Sequence, residues 1–144
     1  MREVIRSALV AHSAAQLYAL IVDVERYPQF LPWCVAARVA QREPESMVAS
    51  LSIRRGLLRA DFTTRNAMTP DRAVGMTLVS GPFRSLEGRW TLTPLGDEGC
   101  SVELRMRFEL ANRVSAALLE PLFEETAASL VDAFVLRARE VYRP

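Results

Sequence analysis

From residue 100 to residue 110 the chain alternates strictly. Cys100, Val102, Leu104, Met106, Phe108 and Leu110 are apolar, and Ser101, Glu103, Arg105, Arg107 and Glu109 between them are polar or charged. A period of two with one apolar and one charged face marks an antiparallel strand buried on one side and wet on the other. The stretch before it repeats the pattern, with Leu86, Trp90 and Leu92 set against Glu87, Arg89 and Thr91. Shorter runs follow the same rule at Met47, Ala49, Leu51 and Ile53, and at Val74, Met76 and Leu78. Phe62, Thr64 and Asn66 share the inward parity of their own run, and Ser80 shares that of Val74. Turn formers separate the runs at Glu43-Pro44, Arg55-Gly56, Thr69-Pro70-Asp71, Gly81-Pro82 and Leu95-Gly96-Asp97. The pattern predicts six strands between Cys34 and Leu110, and one more over about Glu3 to Val10.

Helical signals flank these strands. Ser13 stands three residues before Gln16, the capping-box spacing that satisfies free amide donors at a helix start, and the helix is predicted to reach about Asp23. Tyr27-Pro28 and Leu31-Pro32 then push the chain out of helical geometry, giving a short turn or elbow. After a plausible N-cap at Asn112, Val114, Leu118, Leu122, Leu130, Phe134, Ala138 and Val141 recur at helical spacing. They predict one long helix, kinked at Pro121, with Glu120, Glu124 and Glu125 preceding Arg137, Arg139 and Arg143 as the helix dipole favours.

A sheet with one apolar face needs a cover, and this helix is the long amphipathic element available. The expected fold is α+β, a helix-grip arrangement in which a curved seven-stranded antiparallel sheet surrounds a long C-terminal helix. The order is β-α-α-β6-α, in one domain over residues 1–144. A strongly bent sheet over one kinked helix leaves room for a cavity.

Composition narrows the chemistry. Eighteen basic against seventeen acidic residues give a net charge of +1, which removes the usual electrostatic case for DNA binding. Every basic residue is arginine, so Schiff-base and P-loop lysine chemistry are excluded. A single histidine, His12, excludes multi-histidine metal sites, and no metal site or catalytic residue is expected. Asp61, Glu87, Glu103 and Glu109 all fall on the outer faces of their strands, leaving His12 without an inward acid–base partner. Cys34 and Cys100 read as free, buried thiols. The chain opens with charged residues, and its longest apolar run, Leu17 to Val22, falls far short of the about 20 residues a membrane span needs. The expectation is a cytoplasmic protein, at most peripheral at the inner face of the membrane.

Four segments then carry a resemblance. Residues 22–34 read VDVERYPQFLPWC, 62–66 FTTRN, 78–90 LVSGPFRSLEGRW and 133–142 AFVLRAREVY. In this order they resemble the START-like polyketide cyclase/dehydrase superfamily, in the branch of coenzyme-Q-binding proteins and ribosome association toxins. The departure is arginine where relatives often carry lysine, which keeps charge and changes hydrogen-bond geometry. The resemblance implies a hydrophobic cavity that holds ubiquinone or a similar isoprenoid lipid as ligand, with no cofactor. It further implies support of respiration through transient contact with a membrane or respiratory complex. For the toxins it implies binding to the large ribosomal subunit and a block of subunit association. A small-molecule cyclase is the third reading.

The candidate cavity residues are Tyr27, Phe30, Leu31 and Trp33 on the elbow, Phe62 and Thr64, Phe83 after the Gly81-Pro82 turn, Trp90, and Leu122 and Phe134 of the helix. For the elbow the alternative is a plug closing the core, and for Phe83 a simple hairpin turn. Inward Thr64, Asn66 and Ser80 need hydrogen-bond partners, met either by a quinone carbonyl or by nearby backbone. Arg54, Arg55 and Arg59 bracket one hairpin as candidates for RNA or partner contact, against the alternative of a solvated face.

Overall fold

In the computed structural model, which describes residues 1–143, the expected strands form one antiparallel sheet in the order β1-β7-β6-β5-β4-β3-β2. The strands are β1 (Arg2–Val10), β2 (Cys34–Glu43), β3 (Ser46–Arg55), β4 (Leu58–Thr69), β5 (Ala73–Ser80), β6 (Phe83–Leu95) and β7 (Gly99–Leu110). The period-two pattern becomes the inner face directly. Along β7, Cys100, Val102, Leu104 and Phe108 are essentially inaccessible, and Phe62, Thr64 and Asn66 are buried along β4. Helix α1 (Ala14–Val22) starts on the predicted capping box, with both of its hydrogen bonds made. A 3-10 turn (Val24–Gln29) then carries Tyr27 and Pro28 into the elbow.

The inner face of the sheet is covered by α2 (Arg113–Ala128) and α3 (Leu130–Val141), which share one line of chain. Two features refine the expected helix. The first is its interruption: Pro121 sits inside α2, and the break between the two helical segments falls at Ser129. The Thr126 hydroxyl donates to the Leu122 carbonyl (2.8 Å) and the Ser129 hydroxyl to the Thr126 carbonyl (2.7 Å). Hydroxyls bonded back onto helix carbonyls compete with the amide ladder and bend it.

The second is the phase of α2. Val114 and Leu118 are 93% and 57% exposed, while the buried stripe runs through Ala116, Glu120, Phe123 and Ala127. Alanines let the helix approach the sheet, and Glu120 is drawn inward by donors there. Its carboxylate accepts from the Leu110 amide (2.9 Å) and the Arg113 guanidinium (3.1 Å), with Arg2 at 3.5 Å.

Ser80 also departs from its parity. A register shift between Thr63 and Thr64 pairs Ser80 with Thr63, and Ser80 is exposed. One bulge residue moves everything beyond it to the other face.

Burial works to raise the Glu120 carboxyl, but the bonds from Leu110 and Arg113 and the nearby charges outweigh it and hold the group below its ordinary value. The stability this confers is present above the ordinary carboxylate range and is lost as pH falls through the native value. Glu120→Gln is therefore expected to cost about 1–3 kcal/mol near neutral pH. Urea unfolding should show the gap to wild type narrowing in acid.

Candidate functional site

The inner side chains pack as two clusters. One lies under α1 and α3 around Leu17, Ile21, Trp90, Leu104 and Phe134, and the other under α2 around Phe62, Phe83, Phe108 and Phe123. Trp33, Leu51 and Met76 touch both. Between the clusters lies an apolar cavity of about 70 Å³, walled by residues of each, including Tyr27, Ala49, Trp90 and Phe134, and Ile53, Phe62, Met106 and Phe123.

Two buried polar side chains of β4, Thr64 and Asn66, stand on this wall, and Thr126 of α2 joins them. The Thr64 hydroxyl donates to the Asn66 side-chain carbonyl at 2.7 Å. The two residues thus satisfy each other, rather than the backbone, and the Asn66 amide nitrogen has no protein partner among the described residues. Tyr27 is the one titratable side chain on the wall; its hydroxyl donates to the Ile21 carbonyl, and burial pushes its pKa up, so it stays neutral. The cavity can accept a hydrogen bond acceptor and apolar surface. It holds no acid–base pair.

Of the residues predicted to form the cavity, Tyr27, Trp33, Phe62, Thr64, Trp90 and Phe134 stand on its wall. Phe30, Leu31, Phe83 and Leu122 do not. Phe30 lies behind the wall, edge-on to Tyr27 and Phe134 at 6.0 and 5.2 Å, with the Arg137 guanidinium 5.0 Å over its ring. Leu31 is buried in the first cluster. Phe83 is buried rather than poised over an entrance, because the turn before it closes tightly. A Cβ on Gly81, at φ +146°, would meet the Phe62 Cβ at 2.5 Å, and Phe83 packs on Phe62 and Phe123. Leu122 yields its place to Phe123, one residue on, because of the helix phase. The signal for Phe123 was in the chain, since it precedes Phe134 by eleven residues, about three turns.

The three hairpin arginines do not make one patch. Arg54 holds Asp61 in a two-pronged pair (2.8 and 3.3 Å), and this bond keeps the Asp61 carboxyl below its ordinary value. Arg55 turns to α2, donating to the Thr126 hydroxyl at 3.2 Å with Glu125 at 3.9 Å. Arg59 is exposed and has no carboxylate partner among the described residues. His12 sits away from the cavity, its ring 5.9 Å from that of Tyr142. Both cysteines are buried and free, and burial pushes the Cys34 thiol up to about 11.

Comparison with known proteins now decides the family. The family described as polyketide cyclase / dehydrase and lipid transport matches residues 10–135. The chain belongs to that family. Among members of known sequence it is similar to the ribosome association toxin RatA of Escherichia coli, 42% identical over 142 residues, covering 99% of this chain and 90% of that protein. It is more distantly similar to the mitochondrial coenzyme Q-binding protein COQ10 homolog B of Xenopus laevis, at 25% identity over 94% of this chain and 57% of that one. In fold it matches a START superfamily protein from Mycobacterium smegmatis, with a TM-score of 0.81 at 22% identity, covering 96% of this chain and 98% of that one. It also matches the ZhuI aromatase/cyclase from a Streptomyces species, with a TM-score of 0.83 at 19% identity, covering 99% and 96%. The helix-grip fold of these START-like proteins is the fold of this family member.

Asn66→Ala leaves the Thr64 hydroxyl buried without its acceptor and is expected to cost about 1–3 kcal/mol in urea unfolding. The double change Thr64→Val with Asn66→Leu removes both partners and should cost clearly less than the sum of its single changes.

Proposed function

We propose that this START-like protein binds, without covalent chemistry, an apolar lipid bearing a carbonyl head, of the isoprenoid quinone type. The observation that carries this reading is the cavity wall itself, apolar apart from Tyr27, Thr126 and the Thr64–Asn66 pair, whose amide nitrogen is free to donate. A quinone oxygen is an acceptor without charge, matched to an amide donor and to a site holding no counter-ion. Tail burial then supplies affinity at about 0.8 kcal/mol per methylene. The relative named for coenzyme Q binding supports the ligand class. The role this reading assigns is delivery to membrane respiratory enzymes by transient contact with the membrane; no helix among the described residues is long and apolar enough to cross one.

The test is native mass spectrometry of the protein from its own host, repeated with added ubiquinone. A stoichiometric quinone is expected, with affinity falling about tenfold in Asn66→Leu, the loss of one hydrogen bond of about 1.4 kcal/mol. No complex under either condition would refute the reading.

A second reading has its own observation. Identity of 42% over 142 residues with proteins named ribosome association toxin favours action at the ribosome, which this reading assigns to the large subunit. The outer surface would then act, through exposed arginines such as Arg59, and the cavity would be incidental to it. Salt-sensitive cosedimentation with large subunits, weakened by Arg59→Gln and indifferent to Asn66→Leu, is the result that reading requires.

A further inference from the structure

Resting on the lipid reading above, the volumes pose a problem that the surface resolves. Pockets that bury ordinary small ligands run to about 300–1,000 Å³, and the cavity offers about 70 Å³. It admits part of a ring and no tail. Beside it on the surface lies an open groove of about 560 Å³, walled by Leu31 and Pro32 of the elbow and by Ala133 and Leu136 of α3. Trp33 stands on the wall of both spaces.

We infer that this groove is the channel for the ligand's apolar tail and that the Trp33 indole is the gate between tail channel and head cavity. The backbone around the gate is fixed. Leu31 donates to the Tyr27 carbonyl, Cys34 to the Leu31 carbonyl and Arg54 to the Trp33 carbonyl, each at 2.9 Å. The half-buried indole is therefore the part that swings, and its movement joins the two spaces into one site. The charges on the rim select the occupant. Arg54 is paired with Asp61, and Arg55 with Thr126 and Glu125, while Asp132 faces the groove without a basic partner among the described residues. Such a rim disfavours a phosphate, and the apolar wall of Leu31, Pro32, Ala133 and Leu136 suits a hydrocarbon chain.

The test compares a tail-less dimethoxy-methyl-benzoquinone with its decyl-tailed form, binding being read by quenching of tryptophan emission. Leu136 is 54% exposed, so Leu136→Asp alters the groove without touching the core. It is expected to weaken the decyl form at least tenfold, since each buried methylene is worth about fourfold in affinity, and to leave the tail-less form unchanged. Trp33→Ala retains Trp90 on the cavity wall as the reporter, and association of both quinones should quicken at least tenfold. Equal effects of Leu136→Asp on the two quinones, or none on either, would overturn the channel. An unchanged association rate in folded Trp33→Ala would overturn the gate. Failure of wild type to bind either quinone would instead refute the lipid reading, and this inference with it.

Discussion

A curved sheet has an inner face wider than one helix can fill, and the rest of this structure depends on that mismatch. Ala116, Ala127 and Ala138 bring the covering helices close to the strands. Phe123 and Phe134, three turns apart, fill two separate regions, and the cavity is the space left between them. At about 24 cal/mol per Å³, an empty void of this size costs on the order of 2 kcal/mol. One larger side chain, for example at Ala49 on its wall, would recover part of that cost. Among the large side chains of the wall the sequence keeps Ala49, Gly88 and Ala127 small and Thr64, Asn66 and Thr126 polar, which is the choice expected of a space that something else fills.

The polar groups inside follow a consistent economy. Glu120 ties α2 to the end of β7 and to Arg113, and the Tyr27 hydroxyl ties the elbow back to α1. Each fixes one element on which the cavity wall stands. Thr64 and Asn66 differ, because they answer each other and leave one donor over. That amide stands on the cavity wall and is not among the fully buried side-chain atoms without a partner. It points the chemistry toward a neutral acceptor rather than an acid, a metal or a nucleophile.

The fold was legible where one physical signal ruled. Period two set the faces of β4 and β7, and the Ser13–Gln16 box set the start of α1, because burial and capping leave little competition at those positions. The helix covering the sheet was harder to read. Its buried stripe mixes alanine and glutamate with one phenylalanine, so a hydrophobicity count favours Val114, Leu118 and Leu122, which face outward or to the margin. Pro121 was the expected kink, and the regular helix is interrupted at Ser129, where the hydroxyls of Thr126 and Ser129 bond back onto helix carbonyls. Within the site, Phe62, Thr64 and Trp90, pinned to strand faces, stand on the cavity wall. On the irregular elbow Tyr27 and Trp33 reach that wall and Phe30 and Leu31 do not, since direction there depends on close packing around turns that no period encodes.

The most direct test of the central claim is the side-chain amide resonance of Asn66, followed by nuclear magnetic resonance as ubiquinone with a short tail is added. The account predicts that this resonance shifts downfield and saturates at one equivalent of quinone, as the amide gains its acceptor. An Asn66 resonance that stays in place while quinone binds would contradict it, because the head would then lie outside the cavity that the fold provides.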